Sequence, residues 1–273
     1  MKIPVCILSY NHPQITARSI QSCCAHLPNH MIFVLHNGSQ EKHIQSLQKQ
    51  FPQITHWIVS ENKGYTGGVN EILRRGFAQF SWLLLLTNDC ELLGTPLSPM
   101  QPGFYGVRTW ARKKGRLDSC LGTVNFQNGK LMHLKTDEIK ELKTCEKIYV
   151  HGAAFLLHRD VFEKVGVFDE TLHTYCEDLD YSLRVEAAGF PLRLDANLEV
   201  LHHIGKTCHK DPLYTTYYYQ RNRRRVCLRH CPKEQLTRLK FYFLLENFET
   251  RLRLLMTGRK KHLALFNQAL RDI

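Results

Sequence analysis

Two polar residues, Asn88 and Asp89, end the apolar run "SWLLLLT". Four consecutive leucines indicate a buried strand, so the polar pair lies where the following loop begins. An Asn-Asp pair in such a place is often only a turn or a helix cap. Asp89 can also be a hard oxygen ligand for Mg²⁺ or Mn²⁺ that bridges a diphosphate, and its position at the end of a core strand favours this second interpretation.

Three acidic residues, Glu177, Asp178 and Asp180, crowd the first turn of the helix predicted in "CEDLDYSLRVEAAG". Acids at this place complement the positive end of a helix, and Asp180 can form a surface ion pair with Arg184 one turn later. Three acids are more than that role requires. An acid that stays ionised near a metal-bound leaving group is a suitable general base for an attacking hydroxyl. The pattern leaves both interpretations open.

Two histidines, His202 and His203, end the extended segment "PLRLDANLEVLHH". Successive side chains of a strand point to opposite faces, so one of the two must face the ligand side. A lone histidine is usually a polar surface residue. As an additional ligand it would suit a Mn²⁺ or Mg²⁺ site with mixed nitrogen and oxygen donors.

The elements that must position these residues alternate between strand and helix over the first 94 residues. Short apolar runs predict strands in "IPVCILSYN", "MIFVLHNGS", "ITHWIVS" and the leucine run, and a helical spacing follows each of the first three. This alternation predicts an α/β fold with a parallel, doubly wound sheet, which binds ligands beyond the carboxyl ends of its strands. Polar clusters fall at those ends, in residues 9–11, 36–39, 60–62 and 87–89.

A glycine-containing segment, "ENKGYTGGVN", follows the third strand and opens a helix. It does not match GxGxxG, so it supports a dinucleotide fold poorly. Glycines at such a turn let the backbone approach a ligand closely, and a helix start favours anions. From the glycines alone, an ordinary turn is the preferred interpretation.

The pattern is weaker beyond residue 94. The segment "GTVNFQNGKLMHL" predicts a hairpin around Asn128 and Gly129, and "IYVHGAAFLLHRDVFEKVGVFDE" predicts a strand that runs into a short helix. Gly189 is expected to end the acidic helix. From about residue 215, Arg and Lys alternate with Leu, Phe and Tyr, which predicts two or three amphipathic helices.

The positive charge is concentrated at the C-terminal end of the chain. The net charge is +12, and the residues from His203 onward hold 16 Lys and Arg against five acids, which is +11. The first 202 residues are therefore almost neutral. A basic segment of this kind is expected to contact something anionic, such as a membrane surface, a phosphorylated acceptor or nucleic acid.

The ten cysteines stand singly or as the adjacent pair Cys23 and Cys24, without a CxxC spacing. We expect reduced, buried thiols in a cytoplasmic protein, with a structural zinc site as the alternative. No charged N-terminal segment precedes a long apolar region, and no apolar stretch approaches the roughly 20 residues of a bilayer span.

Seven segments in order resemble the GT-A glycosyltransferases of family 2, close to the bacterial rhamnosyltransferases. They are "VCILSYN", "ENKGYTGGVNEIL", "LLLLTNDCEL", "HGAAFLLHRDVFEKVGVFDE", "YCEDLDYSLRVEAAGF", "LEVLHHIGKT" and "YYYQRNRRR", and the resemblance covers roughly residues 3–225. The resemblance implies a GT-A domain over residues 1–205, with a Rossmann-like nucleotide-sugar half in 1–94 and an acceptor half in 95–205. Residues 206–273 would form a basic extension of amphipathic helices.

The resemblance also implies where the donor binds. A nucleotide-diphosphate sugar, UDP- or dTDP-linked, would place its base and ribose near the first strands and its sugar near the glycine segment. The residues implied are Ser9, Tyr10, Asn11, Asn37, Asn62, Gly67, Gly68, Asn70 and Asn88.

For the chemistry, the resemblance implies that Asp89 is the metal carboxylate and His202 a late metal or diphosphate contact. Asp178 would be the catalytic base, with Glu177 beside it. Two positions depart from the family. His36 stands where the family usually has Asp, and the segment from Thr87 to Asp89 has one acid where the family has two acids or Asn-x-Asp.

The function implied is a metal-dependent transfer with inversion at the anomeric carbon, during assembly of a bacterial surface polysaccharide or lipopolysaccharide. The acceptor would be a saccharide or a lipid-linked saccharide. The basic extension would rest on the anionic inner leaflet, which makes the protein cytoplasmic and peripheral.

Three alternatives remain open. A non-catalytic nucleotide-sugar binding protein is motivated by His36 and by the single acid of the metal segment. A nucleic-acid binder using "YYYQRNRRR" is the weakest reading, because a solvated helix face explains that run; we expect no nucleic-acid partner. The amphipathic C-terminal helices could also pair two chains into a homodimer.

Overall fold

The structure is a computed structural model that describes residues 3–28, 31–94, 101–111, 116–119, 121–134, 145–203 and 212–273. The domain boundary expected at residue 205 lies outside the described residues. The strands are β1 (Val5–Ser9), β2 (Ile32–Asn37), β3 (Thr55–Val59), β4 (Trp82–Thr87), β5 (Cys90–Leu92), β6 (Phe104–Ala111), β7 (Arg116–Ser119), β8 (Leu121–Asn125), β9 (Lys130–Leu134), β10 (Glu146–Tyr149), β11 (Ala154–His158) and β12 (Leu192–His202). The helices are α1 (Pro13–His26), α2 (Glu41–Gln50), α3 (Gly64–Phe77), α4 (Arg159–Val165), α5 (Glu177–Ala187), α6 (Pro212–His230), α7 (Lys233–Met256) and α8 (Lys260–Arg271).

The main sheet has the order β3-β2-β1-β4-β11-β6-β12-β5, with β7 added beside β6. Strands β1 to β4 are parallel to one another, as the alternation of strand and helix predicts. Strand β11 is antiparallel to both β4 and β6, and β5 is antiparallel to β12. The sheet is therefore mixed rather than parallel throughout, and the α/β class is confirmed.

Strand β4 shows why four leucines follow one another. Leu84 and Leu86 face a core cluster that includes residues of α1, whereas Leu83 and Leu85 face a second cluster with residues of α3. All four leucines are fully buried. A strand that helices cover on both faces has no polar side, so its apolar run is continuous and ends only at the edge of the core.

A second, three-stranded sheet has the order β10-β8-β9 and contains the predicted hairpin. Gly129 has a φ of 64°, and its N–H donates to the carbonyl of Asn125 at 2.7 Å. A third apolar cluster joins this sheet to α5, α6 and α7 through residues such as Phe126, Leu179 and Phe243. The catalytic candidates Glu177 and Asp178 stand in the chain between Cys176 and Leu179, two members of this cluster.

The C-terminal residues form three helices. In α6, the side chains of Arg223 and Arg224 are buried and pair with Glu246 of α7. These two arginines therefore hold helices together and do not belong to a solvated face. Among the described helices, none has both the length and the apolar character needed to cross a membrane.

Candidate active site

Two adjacent cavities lie beyond the carboxyl ends of β1, β2 and β4. The larger, which we call the acidic cavity, has a volume of about 320 Å³ and is lined by residues that include Asp89, Glu177, Asp178 and His202. The smaller, which we call the amide cavity, has a volume of about 140 Å³ and is lined by residues that include Tyr10, Asn37, Asn62 and Asn88. Both cavities are lined by Tyr65, Thr87, Thr174 and Tyr175, so they are neighbours.

Asp89 lies in the tight turn between β4 and β5 and is 3% exposed. The hydroxyl of Thr87 donates to its Oδ1 at 2.7 Å, and its backbone carbonyl accepts from the N–H of His203 at 2.9 Å. Asn88 turns its side chain the other way and donates to Thr16 Oγ1 at 3.0 Å. The turn thus fixes the carboxylate of Asp89 at the wall of the acidic cavity.

His202 places an imidazole beside this carboxylate. Its Nε2 is 3.6 Å from Asp89 Oδ1, whereas His203 points to the other side of β12, where its Nε2 lies 2.7 Å from Glu91 Oε1. Ligand atoms of Asp89, Cys90 and His202 all lie within 4.8 Å of one another. Burial raises the pKa of the Cys90 thiol, which keeps it protonated. One carboxylate oxygen and one imidazole nitrogen remain, a donor set that fits Mn²⁺ or Mg²⁺ when diphosphate oxygens complete the shell.

The loop before α5 is strained. His173, Tyr175 and Cys176 have φ values of 62°, 67° and 64°, a region that residues other than glycine rarely adopt. The side-chain amide of Asn222 in α6 holds this loop, because its Nδ2 donates to the carbonyls of Leu172, Thr174 and Tyr175 at 2.7, 2.7 and 2.9 Å. Strain that a buried hydrogen-bond network maintains is typical of functional sites.

The loop delivers Glu177 and Asp178 to the acidic cavity. The Asp178 carboxylate accepts from the N–H of Gly152 at 3.0 Å and from the N–H of Leu179 at 2.8 Å. Burial raises the pKa of Asp178, and these two hydrogen bonds act in the opposite direction. Burial and the neighbouring charge of Asp178 raise the pKa of Glu177 well above its usual range, and in the described part of the chain its Oε2 makes no hydrogen bond. The pKa of Glu177 is therefore raised further than that of Asp178, so a proton on this pair is held more strongly by Glu177.

The third acid of this turn, Asp180, points away from both cavities. Its side chain is fully buried and accepts from Arg184 at 2.8 Å, Arg229 at 3.0 Å and His230 at 2.8 Å. The expected pair with Arg184 is present, but the expectation that it lies on the surface is wrong. The reason is that α6 covers Asp180 and supplies two further partners.

Two asparagines shape the amide cavity. Asn37 donates to the carbonyl of Gly64 at 2.8 Å and accepts from the N–H of Lys63 at 3.1 Å, and Asn62 Oδ1 accepts from the N–H of Gly64 at 2.9 Å. Gly64 has a φ of 70°, and a Cβ there would lie 2.3 Å from the ring of His173. The loop can close against His173 only because this residue is glycine.

Five implied donor residues line neither of these two cavities. Ser9 hydrogen-bonds to Thr16, and the Asn11 side chain accepts from the N–H of Gln40. In α3, Asn70 is buried and binds both the N–H and the carbonyl of Phe168. The other two are helix glycines at close contacts, Gly67 against Lys63 and Gly68 against Leu8 and Asn37.

His36, where the resemblance implied Asp, is buried. Its Nε2 lies 2.9 Å from Nδ1 of His56, and the two rings stack. Burial and the neighbouring His56 lower the pKa of His36 to about 4. A neutral imidazole that contacts His56 of β3 therefore stands at the position where the resemblance implied a carboxylate.

The sequence patterns did not identify several cavity residues. Tyr65 lines both cavities, and its hydroxyl donates to the carbonyl of Gly152. His151 lines the acidic cavity, where burial lowers its pKa to about 3, and in the described residues its Nε2 makes no hydrogen bond. The only signal in the sequence is that Tyr65 and His151 each stand beside a glycine at the end or start of an element.

The architecture is that of the GT-A glycosyltransferases. GalNAc-T7, solved with UDP, GalNAc and Mn²⁺, superposes with a TM-score of 0.60 at 14% identity over 83% of this chain and 47% of that chain. The mannosyltransferase PcManGT from Pyrobaculum calidifontis, solved with GDP-Man and Mn²⁺, gives a TM-score of 0.56 at 12% identity over 98% and 74% of the two chains. TarS from S. aureus gives 0.55 at 13% identity over 89% and 43%. These likenesses confirm the predicted fold.

The chain belongs to glycosyl transferase family 2, whose sequence profile matches residues 5–166. A shorter stretch of 64 residues is 36% identical to an N-acetylglucosaminyl-diphospho-decaprenol L-rhamnosyltransferase of Mycobacterium tuberculosis. That stretch is 23% of this chain and 21% of the relative, so the chain matches about a fifth of the relative's length. The predicted resemblance to family 2 and to rhamnosyltransferases is confirmed.

Proposed function

We propose that the protein is a metal-dependent, inverting glycosyltransferase that moves a sugar from a nucleotide-diphosphate sugar to a saccharide or lipid-linked acceptor. One observation carries this proposal. The acidic cavity brings Asp89 and His202, a donor set for a divalent cation, together with the carboxyl group of Asp178, which can act as a base. A leaving diphosphate and an attacking hydroxyl need these two kinds of group in one enclosed space.

The donor would span both cavities. Its nucleoside would occupy the amide cavity beside Tyr10, Asn37 and Asn62, and its diphosphate would reach Asp89 and His202. A divalent cation bound there would neutralise charge on the departing diphosphate. We keep UDP and dTDP as the expected nucleotides, although His36 offers no carboxylate to the base.

Asp178 would take the proton of the acceptor hydroxyl. Two backbone N–H groups fix the orientation of its carboxylate, and their hydrogen bonds favour the ionised form that accepts a proton. Attack from the side opposite the diphosphate inverts the anomeric carbon. Glu177, whose pKa burial raises, can when protonated donate a hydrogen bond to a substrate hydroxyl in the same cavity.

The name of a relative supports the proposed acceptor and cellular role. The mycobacterial relative is named for transfer of rhamnose to a polyprenyl-diphosphate-linked sugar. We place this protein in the assembly of a bacterial surface polysaccharide or lipopolysaccharide, in the cytoplasm and at the anionic inner face of the membrane. Basic residues of the C-terminal helices would support that attachment at about 1 kcal/mol for each Lys or Arg near the lipid.

The test is a thermal-shift screen of the purified protein with UDP-, dTDP- and GDP-sugars, with and without Mn²⁺, together with release of the nucleoside diphosphate. We expect one donor to raise the melting temperature only with Mn²⁺ and to be turned over. Asp89→Ala should lose both responses. The matched control is Asp160→Ala, which changes an exposed acid of α4.

Three results would count against the proposal. A donor shift that is independent of Mn²⁺, or one that Asp89→Ala keeps, would remove the metal role. Donor binding without any turnover would support the non-catalytic alternative. Retention of the donor's anomeric configuration in the product would exclude the single displacement.

A further inference from the structure

Helix α7 carries an unusual number of exposed apolar side chains. In the described part of the chain, seven large hydrophobic residues of this single helix are between 47% and 80% exposed. They are Phe241, Leu244, Leu245, Phe248, Leu252, Leu255 and Met256. Scattered single residues of this kind are ordinary, but a contiguous set marks a contact surface.

These seven residues form one stripe. With 3.6 residues per turn they fall within an arc of about 120° around the helix axis. Leu239 and Phe243, which are buried in the cluster with α5 and α6, lie on the opposite side of the helix. Helix α7 therefore has two apolar faces, and packing among the described residues accounts for only one of them.

Cations flank the exposed stripe on both edges. On a helical projection, Lys233 and Lys240 fall along one edge, and Arg238 and Arg253 along the other, where the acid Glu249 also lies. All five are exposed. An apolar stripe with a mainly basic border matches a surface that presents acyl chains beneath anionic headgroups.

We propose that this face of α7 lies in the interface of an anionic lipid bilayer, with its apolar side chains among the acyl chains and its flanking cations at the headgroup phosphates. A second copy of the chain is the other candidate for the stripe. An isologous pair would bring two mainly basic borders together, which like-charge repulsion disfavours. This proposal rests on the membrane attachment described under the proposed function, and it assigns that attachment to one face of α7.

The experiment is flotation of the full chain with vesicles of phosphatidylethanolamine and phosphatidylglycerol, compared with vesicles of phosphatidylcholine alone. The variant is Leu244→Gln with Phe248→Gln, and the matched control is Ile58→Gln with Leu93→Gln. All four positions are 45% to 66% exposed, so these changes leave the core intact. We expect the α7 variant to bind the anionic vesicles at least about tenfold more weakly and the control to bind like the original protein, because two large apolar groups no longer enter the interface.

Equal binding by the α7 variant and the original protein would overturn the proposal. So would a dimer in light scattering that the α7 variant converts to a monomer, without any binding to vesicles. The Mn²⁺-dependent donor shift is measured on the same samples. If that shift is intact while vesicle binding fails, the glycosyltransferase proposal stands and only the α7 surface is wrong.

Discussion

The buried carboxylate of Asp180 gives a quantitative test of how α5 is held under α6. It accepts hydrogen bonds from Arg184, Arg229 and His230. Asp180→Asn keeps the size of the side chain but removes its charge, and it turns an amide NH₂ towards cationic donors. We expect the variant to fold and to be less stable at neutral pH.

The magnitude follows from the pKa. Burial alone would raise the pKa of Asp180, but the hydrogen bond from His230 and the charge of Arg184 outweigh it and lower the pKa from 3.8 to about 2. A shift of this size corresponds to about 2 kcal/mol of unfolding free energy. Because the pKa is lower in the folded state, this stabilisation is complete above the unfolded pKa near 4 and is lost as the pH falls towards 2.

Urea denaturation at pH 7 and at pH 3 measures the effect. At pH 7, Asp180→Asn should lower the free energy of unfolding by about 2 kcal/mol, whereas Asp160→Asn, at an exposed acid, should change it by less than about 0.5 kcal/mol. At pH 3 the difference between Asp180→Asn and the original protein should shrink. A loss at pH 7 no larger than that of Asp160→Asn would refute the reasoning, and so would a difference that does not depend on pH.

Two further predictions concern the cavities. Asp178→Asn should lower turnover by about 10² to 10⁴-fold and leave the donor shift with Mn²⁺ intact. Because the base must be ionised and burial raises its pKa, activity should fall with decreasing pH, and at a higher pH than for an ordinary carboxylate. A pH profile without this acidic limb would contradict the assignment. Gly68→Ala should lower both the melting temperature and the donor shift, because the new Cβ would lie 2.6 Å from Leu8 and 2.9 Å from the Asn37 amide. The control is Gly94→Ala, whose new Cβ meets no atom closer than 4.0 Å and which should behave like the original protein in both assays.

Sequence patterns predicted the first half of the fold because each element there is recognisable locally. In β4 and in helices α1 to α3, the residues that pack against neighbouring elements are apolar at the regular spacing of a strand or a helix, so each element can be recognised from its own sequence. The second half depends on distant pairing. Strand β6 lies between β11 and β12, which follow it by some 45 and 85 residues, and no local pattern encodes that order.

The same distinction holds for the site. Asp89, Asp178 and His202 could be singled out because each stands at the end of an element, where polar residues follow or precede an apolar run. Asn222 could not, because its carbonyl partners are 47 to 50 residues earlier in the chain. The burial of Asp180 was missed for the same reason, since the residues that cover it belong to α6.

The hydrogen bonds from Asn222 to the strained loop before α5 have a consequence for protein engineering. A chain cut near residue 205 would lose this amide, and it would also lose Arg229 and His230, which donate hydrogen bonds to Asp180. The carbonyls of Leu172, Thr174 and Tyr175 would then lose the Asn222 donor, and of the three cationic partners of Asp180 only Arg184 would stay, in the segment that presents Asp178 to the acidic cavity. Chimeras that exchange the C-terminal helices between relatives should therefore retain α6 and join the new segment after His230.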